Sequence, residues 1–266
     1  MATYLDRILA VHRARAAEDN RPVEGLVEAA RRAPEPRPFR PAVTQDGLAV
    51  IAELKRRSPS RGDLAPELDP AAVASSYAAG GAACLSVLTD ARFFGGSPAD
   101  LGAARRAVDL PVLRKDFTVS EADVCDARLM GADAVLLIVA ALADAELVRL
   151  RGLARELGLA ALIEVHDEAE LERALDAGAD LVGVNQRDLT TFEVDHQRAE
   201  HMAPRIPGGV VKVAESGVRG AADAARLAGS GFDAVLVGES LIRAPDRQAA
   251  VRSLLGEVRA SGSACS

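Results

Sequence analysis

The stretch AVIAELKRRSPSRGDL, Ala49 to Leu64, decides how the chain is read. Its first half is apolar and β-branched, the mark of a buried strand, yet it closes on Glu53 and Lys55, two charges of opposite sign. Residues two apart in a strand point the same way, so Ile51, Glu53 and Lys55 share one face and Ala52 and Leu54 the other. Ser58-Pro59-Ser60-Arg61-Gly62 follows, and that is turn chemistry. The charges therefore stand at the carboxyl end of a strand, beneath a loop, where an α/β barrel carries its chemistry.

Outward from this stretch, short apolar runs alternate with helical patterns every ~20 to 35 residues, the βα repeat of a parallel sheet. The runs cover 49–55, 84–89, 112–115, 134–139, 160–165, 181–185, 210–215 and 234–238. Most helical segments end on a glycine just before the next run, as in Met130-Gly131-Ala132-Asp133 and Ala177-Gly178-Ala179-Asp180. Eight such units close into a (β/α)8 TIM barrel; an open doubly wound sheet is the lesser alternative. Ahead of it, residues 4–19 and 23–32 read as amphipathic helices, followed by Pro34, Pro36, Pro38 and Pro41 as an extended linker. The expected division is an N-terminal helical extension over 1–46, a barrel over 47–258 and a flexible tail over 259–266, in a single domain.

Composition excludes several classes. At 266 residues and 49% hydrophobic, the chain can bury a large core. The longest apolar run, 134–143, is about half of what a membrane span needs, and no secretory signal core is legible at the start, so a cytoplasmic protein without a membrane role is expected. A net charge of −7 argues against nucleic acid. Cys84, Cys125 and Cys265 are few and far apart, which predicts reduced thiols. Only three lysines, Lys55, Lys115 and Lys212, occur among 32 basic residues. An arginine cannot give up its proton at working pH whereas a lysine can, so lysines at two strand ends in an arginine-dominated chain point to proton transfer.

The strand ends supply the partners. Glu53 and Lys55 close the first strand, Lys115 the third, Glu164 the fifth, Asn185 the sixth and Glu215 the seventh. Inward side chains of alternate strands share a layer in a barrel, so the odd strands can place two cations among three carboxylates at the mouth. Such a group compensates its own charge and shifts its own pKa values, which suits acid–base work on a carbonyl substrate. The turns Ser216-Gly217 and Gly238-Glu239, after the last two strands, sit where this fold cradles phosphate. Phe93, Phe94 and Phe117 place aromatics at the rim, as a flat apolar substrate part would require. The histidines make no metal spacing, so no metal is assigned; His12 reads as a helix residue and His166 as a loop residue.

In order along the chain, AELKRRSPSRG, SVLTDARFFGGS, VLRKDF, GADAVLLI, LIEVHD, GVNQRDLTTFEVD, VAESGV and VLVGESL resemble the indole-3-glycerol phosphate synthase family, from the amino-terminal helices to the eighth strand. The resemblance implies ring closure of the phosphorylated small molecule 1-(2-carboxyphenylamino)-1-deoxyribulose 5-phosphate, with loss of CO2 and water and without a cofactor. A monomer is expected. It implies Lys115 as general acid, Glu164 as base in the later steps, Lys55 as substrate anchor and acid in dehydration, and Glu53, Asn185 and Glu215 as positioning groups. Ser58 and Arg187 would meet substrate anions and the closing loop, while Ser216, Gly217, Gly238 and the Glu239 N–H would hold phosphate. Pro59, Phe117, Leu136, Ile138 and Leu189 would line the ring pocket. A serine is common in the family where this chain has Glu239. Lys212 inherits no role. Two rivals stay open at this level: a sister phosphate-sugar isomerase, for which Cys84 is poorly placed, and a phosphate-binding barrel without catalysis.

Overall fold

A computed structural model describes residues 3–59, 61–188 and 191–262, with side chains through residue 256. Eight parallel strands form a closed barrel: β1 (Ala49–Leu54), β2 (Cys84–Leu88), β3 (Val112–Lys115), β4 (Ala134–Ile138), β5 (Ala160–Val165), β6 (Leu181–Asn185), β7 (Val211–Glu215) and β8 (Ala234–Val237). Each pairs with its sequence neighbours, and β8 returns to β1 with Ala49 opposite Ala234. The strands lie under helices outside and against one another inside, so they are buried on both faces and read as continuous apolar runs. All six residues of β1 are buried, Glu53 among them. The predicted strands are recovered, those at β1, β2, β4, β7 and β8 being one residue shorter.

The helix-ending glycines have a local reason: Gly81 and Gly178 sit at φ 97° and 81°, a region that costs other residues about 1 kcal/mol. The loop after β1 carries a short antiparallel ribbon, Arg57–Ser58 against Gly62–Asp63. Ser60, and Leu189 in the loop after β6, lie outside the described residues.

The amino-terminal segment binds the barrel from mouth to floor. Helix α1 (Tyr4–Glu18) starts with a Thr3–Asp6 capping box and crosses the carboxyl-end face. Its Tyr4 ring meets Phe93 at 5.9 Å and Phe192 at 5.0 Å, and its Arg13 bonds Glu146 and the Ala141 carbonyl. Helix α2 (Val23–Arg32) packs on the helix Glu121–Leu129. The proline stretch is not wholly extended: a short helix, α3 (Phe39–Val43), forms within it. Proline is tolerated in a first turn because the N–H it lacks has no partner there. Phe39 and Val43 are buried against the strands and close the barrel floor, while the Arg37 guanidinium bonds the Arg105, Val108 and Leu110 carbonyls. The last helix spans Arg247–Gly262, beyond the point at which the sequence turns small and polar.

Because Phe39 is 2% exposed, Phe39→Ala should lower the unfolding free energy by about 3 kcal/mol. Chemical denaturation reads this directly, and a loss below about 1 kcal/mol would show that α3 does little to close the floor.

Candidate active site

The candidate site residues singled out above line one cavity of 510 Å³ at the carboxyl end of the barrel, except Phe93, whose ring packs on Tyr4 of α1 instead, and undescribed Leu189. Its floor is charged. Lys115 Nζ donates to Glu164 Oε2 at 2.9 Å and to Glu215 Oε2 at 2.5 Å, so strands three, five and seven meet on one ammonium. Both glutamates are 2% exposed at the side chain. Glu53 and Lys55 form a second pair, 2.6 Å apart. Asn185 joins from the even strand β6, its Nδ2 donating to Glu164 Oε1 at 3.1 Å while its Oδ1 accepts the Arg187 N–H.

Local sequence explains why these groups point inward. In LRKDF, alternation sends Lys115 into the barrel and Arg114 outward, where its guanidinium reaches Asp116, Thr89 Oγ and the Asp123 carbonyl. Two glycines leave room for carboxylates. A Cβ on Gly183 would fall on Glu215 Oε1, and one on Gly238 on Glu53 Oε1, with Lys55 Nζ 3.1 Å away. Gly238, anticipated only as a phosphate contact, thus also has a packing reason.

The cluster divides its protons unevenly. Burial resists ionisation of Glu164, but Lys115, His166 and the Asn185 hydrogen bond outweigh it and hold this carboxyl well below the usual range. At Glu215, burial together with the charges of Glu164 and Glu53 outweighs Lys115 and lifts the carboxyl to about 7. Burial opposes the Lys115 charge, yet the three surrounding glutamates raise its pKa above the ordinary lysine value. One ammonium thus stands between a carboxylate held low and a carboxyl raised to about 7, a pairing that can exchange protons within the site.

The turns after β7 and β8 are shaped as anticipated. Ser216 holds a left-handed φ of 66°, followed by Gly217 at 75°, and Gln186 Nε2 donates to the Ser216 carbonyl at 2.7 Å. Such a conformation at a non-glycine residue costs about 1 kcal/mol or more, and strain of this kind concentrates at functional sites. Glu239 faces arginines, with Arg61 Nε at 3.4 Å and Arg243 Nε at 3.9 Å. Its carboxylate is thereby occupied, and its backbone N–H is what it can offer an anion. The ring side of the cavity is lined by Phe94, Phe117, Leu136 and Ile138, with Pro59 and Ser58 from the first loop. Lys212 is not part of it; its ammonium bonds the Ala203 carbonyl.

Several lining groups were not anticipated, Leu88, Val194 and His196 among them. Phe192, at a left-handed φ of 64°, and the arginines Arg219 and Arg243 come from loops whose conformation no short motif encodes. Asp116, adjacent to Lys115, belongs to the docking of α1. His12 is not an ordinary helix residue: buried, it sits 3.1 Å from Asp90 and 4.0 Å from Asp116, with its ring 5.3 Å from Phe117. These three side chains bring ligand atoms within 4.8 Å of one another. Their oxygens are already committed, since Asp90 caps the Phe93 N–H and Asp116 accepts from Phe117, Thr89 and Arg114. The group is a clasp for α1, one visible only after folding brings positions 78 apart together. His166 follows β5 as a loop residue but turns its ring back on Glu164, with Nε2 at 3.5 Å from Oε1.

Comparisons with known proteins point to one family. A family model described as indole-3-glycerol phosphate synthase matches residues 5–254. A curated protein of that name from Parafrankia sp. (strain EAN1pec) is 55% identical over 230 residues, 86% of each chain. One from Nocardioides sp. (strain ATCC BAA-499 / JS614) is 58% identical over 221 residues, 83% of this chain and 85% of that one. Indole-3-glycerol phosphate synthase 1 of Streptomyces coelicolor is 52% identical over 256 residues, 95% of each. Among solved structures, a thiamine phosphate pyrophosphorylase from Pyrococcus furiosus superposes with a TM-score of 0.62 at 18% identity, covering 80% of this chain and 96% of that one, a likeness of fold alone.

The raised Glu215 predicts a pH dependence of stability. A carboxyl whose folded pKa lies above its unfolded value stabilises fully below about 4.5 and loses that contribution as pH rises through about 7. Glu164, shifted the other way, contributes above its unfolded value and fades only in stronger acid. Wild type should therefore lose about 2 kcal/mol relative to Glu215→Gln between pH 5 and pH 8, as read by denaturant unfolding. A difference independent of pH would show that Glu215 is not raised.

Proposed function

The chain belongs to the indole-3-glycerol phosphate synthase family, and from that premise we propose how its residues divide the work. The enzyme is a carboxy-lyase of tryptophan biosynthesis that closes the indole ring of 1-(2-carboxyphenylamino)-1-deoxyribulose 5-phosphate. Of the rival readings, the isomerase lacks a place for its thiol: Cys84 is buried at the far end of β2, and burial pushes its pKa well above the ordinary thiol value.

Three substrate parts match three regions of the cavity. The carboxyphenyl ring fits between Phe117, Leu136, Ile138 and Pro59, and Leu189 is assigned to the same wall. Phosphate fits the backbone of Ser216, Gly217, Gly238 and Glu239, with Arg187 and Ser58 assigned to the substrate's anions. This pose lays the ketone over Lys115.

The single observation that carries the assignment is Lys115 bridging Glu164 and Glu215. Held charged by its carboxylates, Lys115 arrives loaded, and its proton leaves only for a stronger base than either of them. The oxygen developing negative charge as the ring carbon attacks the ketone is such a base. Decarboxylation then restores aromaticity without further help. In dehydration Lys55, steered by Glu53, assists departure of the hydroxyl, and Glu164 takes the proton from the carbon next to nitrogen. Asn185 and Glu215 orient the two principal groups. Holding the ends of one molecule together is itself a large part of the acceleration.

We also read the protein as a cytoplasmic monomer. Supporting the compartment are two free, buried thiols, and among the described residues no helix is long and apolar enough to cross a membrane.

Lys115→Met should reduce kcat by about 10³-fold or more while binding of an unreactive substrate analogue changes little. Fluorescence of the indole product follows the rate. Wild-type turnover by the variant would remove Lys115 from the role of acid.

A further inference from the structure

Ring closure, decarboxylation and dehydration do not balance in protons. The substrate receives two: one when the ketone oxygen becomes a hydroxyl, and one when that hydroxyl leaves as water. It returns one, when a carbon–hydrogen bond breaks to form the indole double bond. The carboxylate leaves as neutral CO2, its bonding pair staying with the ring. Each turnover therefore ends with the site one proton short, while the substrate fills the cavity through which water would supply it.

Glu215 touches Lys115 but is sealed from solvent, whereas His166 reaches from the cluster toward the surface. His166 lies two residues beyond Glu164, with its ring 12% exposed. Glu170, on the first turn of the helix Glu168–Asp176, fixes it: one carboxylate oxygen accepts the His166 backbone N–H at 2.8 Å and meets ring Nδ1 at 3.0 Å. That leaves Nε2 aimed at Glu164 Oε1, 3.5 Å away, buried and with no hydrogen-bond partner among the described residues. Glu164 Oε2 is in turn bonded to Lys115. A continuous path thus runs from a partly exposed Glu170 through His166 and Glu164 to the ammonium that protonates the substrate.

We infer that His166 is a positioning residue that stores, as imidazolium, the proton consumed in each turnover and delivers it to Lys115 through Glu164. Lys115 gives both protons: after the first, the Nε2–H bond breaks as an O–H bond forms on Glu164 Oε1, the carboxyl turns, and that O–H bond breaks as Lys115 regains its N–H. Lys115 then protonates the departing hydroxyl while Lys55 assists by its charge, and Glu164 takes the carbon-bound proton and returns it to Lys115, so the net proton comes from His166. The ring ends neutral with its Nδ1–H still on Glu170, and it regains its proton from solvent after product leaves, the side chain being 12% exposed. Glu164, Glu170 and Arg198 are the charged groups acting on this ring. Burial and Arg198 disfavour its charge, but the Glu170 hydrogen bond and the two carboxylates prevail, so its pKa rises above the ordinary histidine value and the imidazolium is favoured. The inference rests on Glu164 being the base assigned above.

The test compares wild type with His166→Ala and Glu170→Gln in the ring-closure assay. His166→Ala should lose about tenfold in kcat with KM within twofold, lose the alkaline fall of the kcat profile, and recover at least threefold with added imidazole. Glu170→Gln keeps an acceptor for Nδ1–H but removes its charge, so the alkaline limb should move down by about one pH unit. Unchanged kcat and pH profile in both variants would overturn the inference. So would a loss that imidazole does not relieve and that tracks a rise in KM or a fall in thermal midpoint. Should His166→Ala fail to fold, the limb of Glu170→Gln decides alone: its shift supports the store, its absence refutes it. Absence of indole product from wild type would instead strike the activity itself.

Discussion

An ammonium buried between two carboxylates is the constraint around which this protein is built. Lys115 sits 2.9 Å from Glu164 and 2.5 Å from Glu215, in surroundings where any one of the three alone would be costly to ionise. The charges tolerate burial only together, and each therefore answers to the protonation of the others. Removing the lysine would leave two carboxyls facing each other without a cation. The same coupling that makes the cluster demanding to bury gives it protons that move at neutral pH.

The rest of the chain holds that cluster in place. Three strands deliver its members, and glycine in β6 leaves space for the Glu215 carboxyl. Arg114 and Asp116, on either side of Lys115, are tied to the helix Glu121–Leu129 and to Thr89 after β2. The amino-terminal segment works at both ends of the barrel. At the mouth, His12 grips Asp90 beside Phe117; at the floor, Phe39 seals the strands. Rigid support of this kind lets side chains be aimed to fractions of an ångström without induced closure of the whole barrel.

Fold and chemistry were legible in the sequence to different depths. The eight strands were readable because a parallel strand buried on both faces is a compact apolar run, and because most helices stop on a glycine before the next strand. The catalytic candidates were readable because charges at the ends of such runs conflict with local expectation, and such conflicts mark function. What escaped was long-range or loop-borne. His12 gains its meaning from residues 78 and 104 positions away, and a lone histidine in an amphipathic helix carries no sign of that. The short helix at Phe39 hides among prolines that individually favour extended chain. Phe192 and Arg243 enter the cavity by loop conformation, which residue type does not dictate. His166 was placed correctly after its strand, but only the Glu170 contact, one helical turn away, reveals which way its ring points.

The arginine-rich composition makes the central claim open to direct measurement. With lysines only at positions 55, 115 and 212, selective labelling of lysine side-chain nitrogen yields three resonances in the folded enzyme, and the one that disappears in Lys115→Met is assigned. The account predicts that this nitrogen remains an ammonium well above the ordinary lysine value of 10.5 in the free enzyme, titrating only where the fold itself begins to fail. A Lys115 resonance that loses its proton at or below that value would contradict the claim that a pair of buried glutamates holds the acid charged and ready.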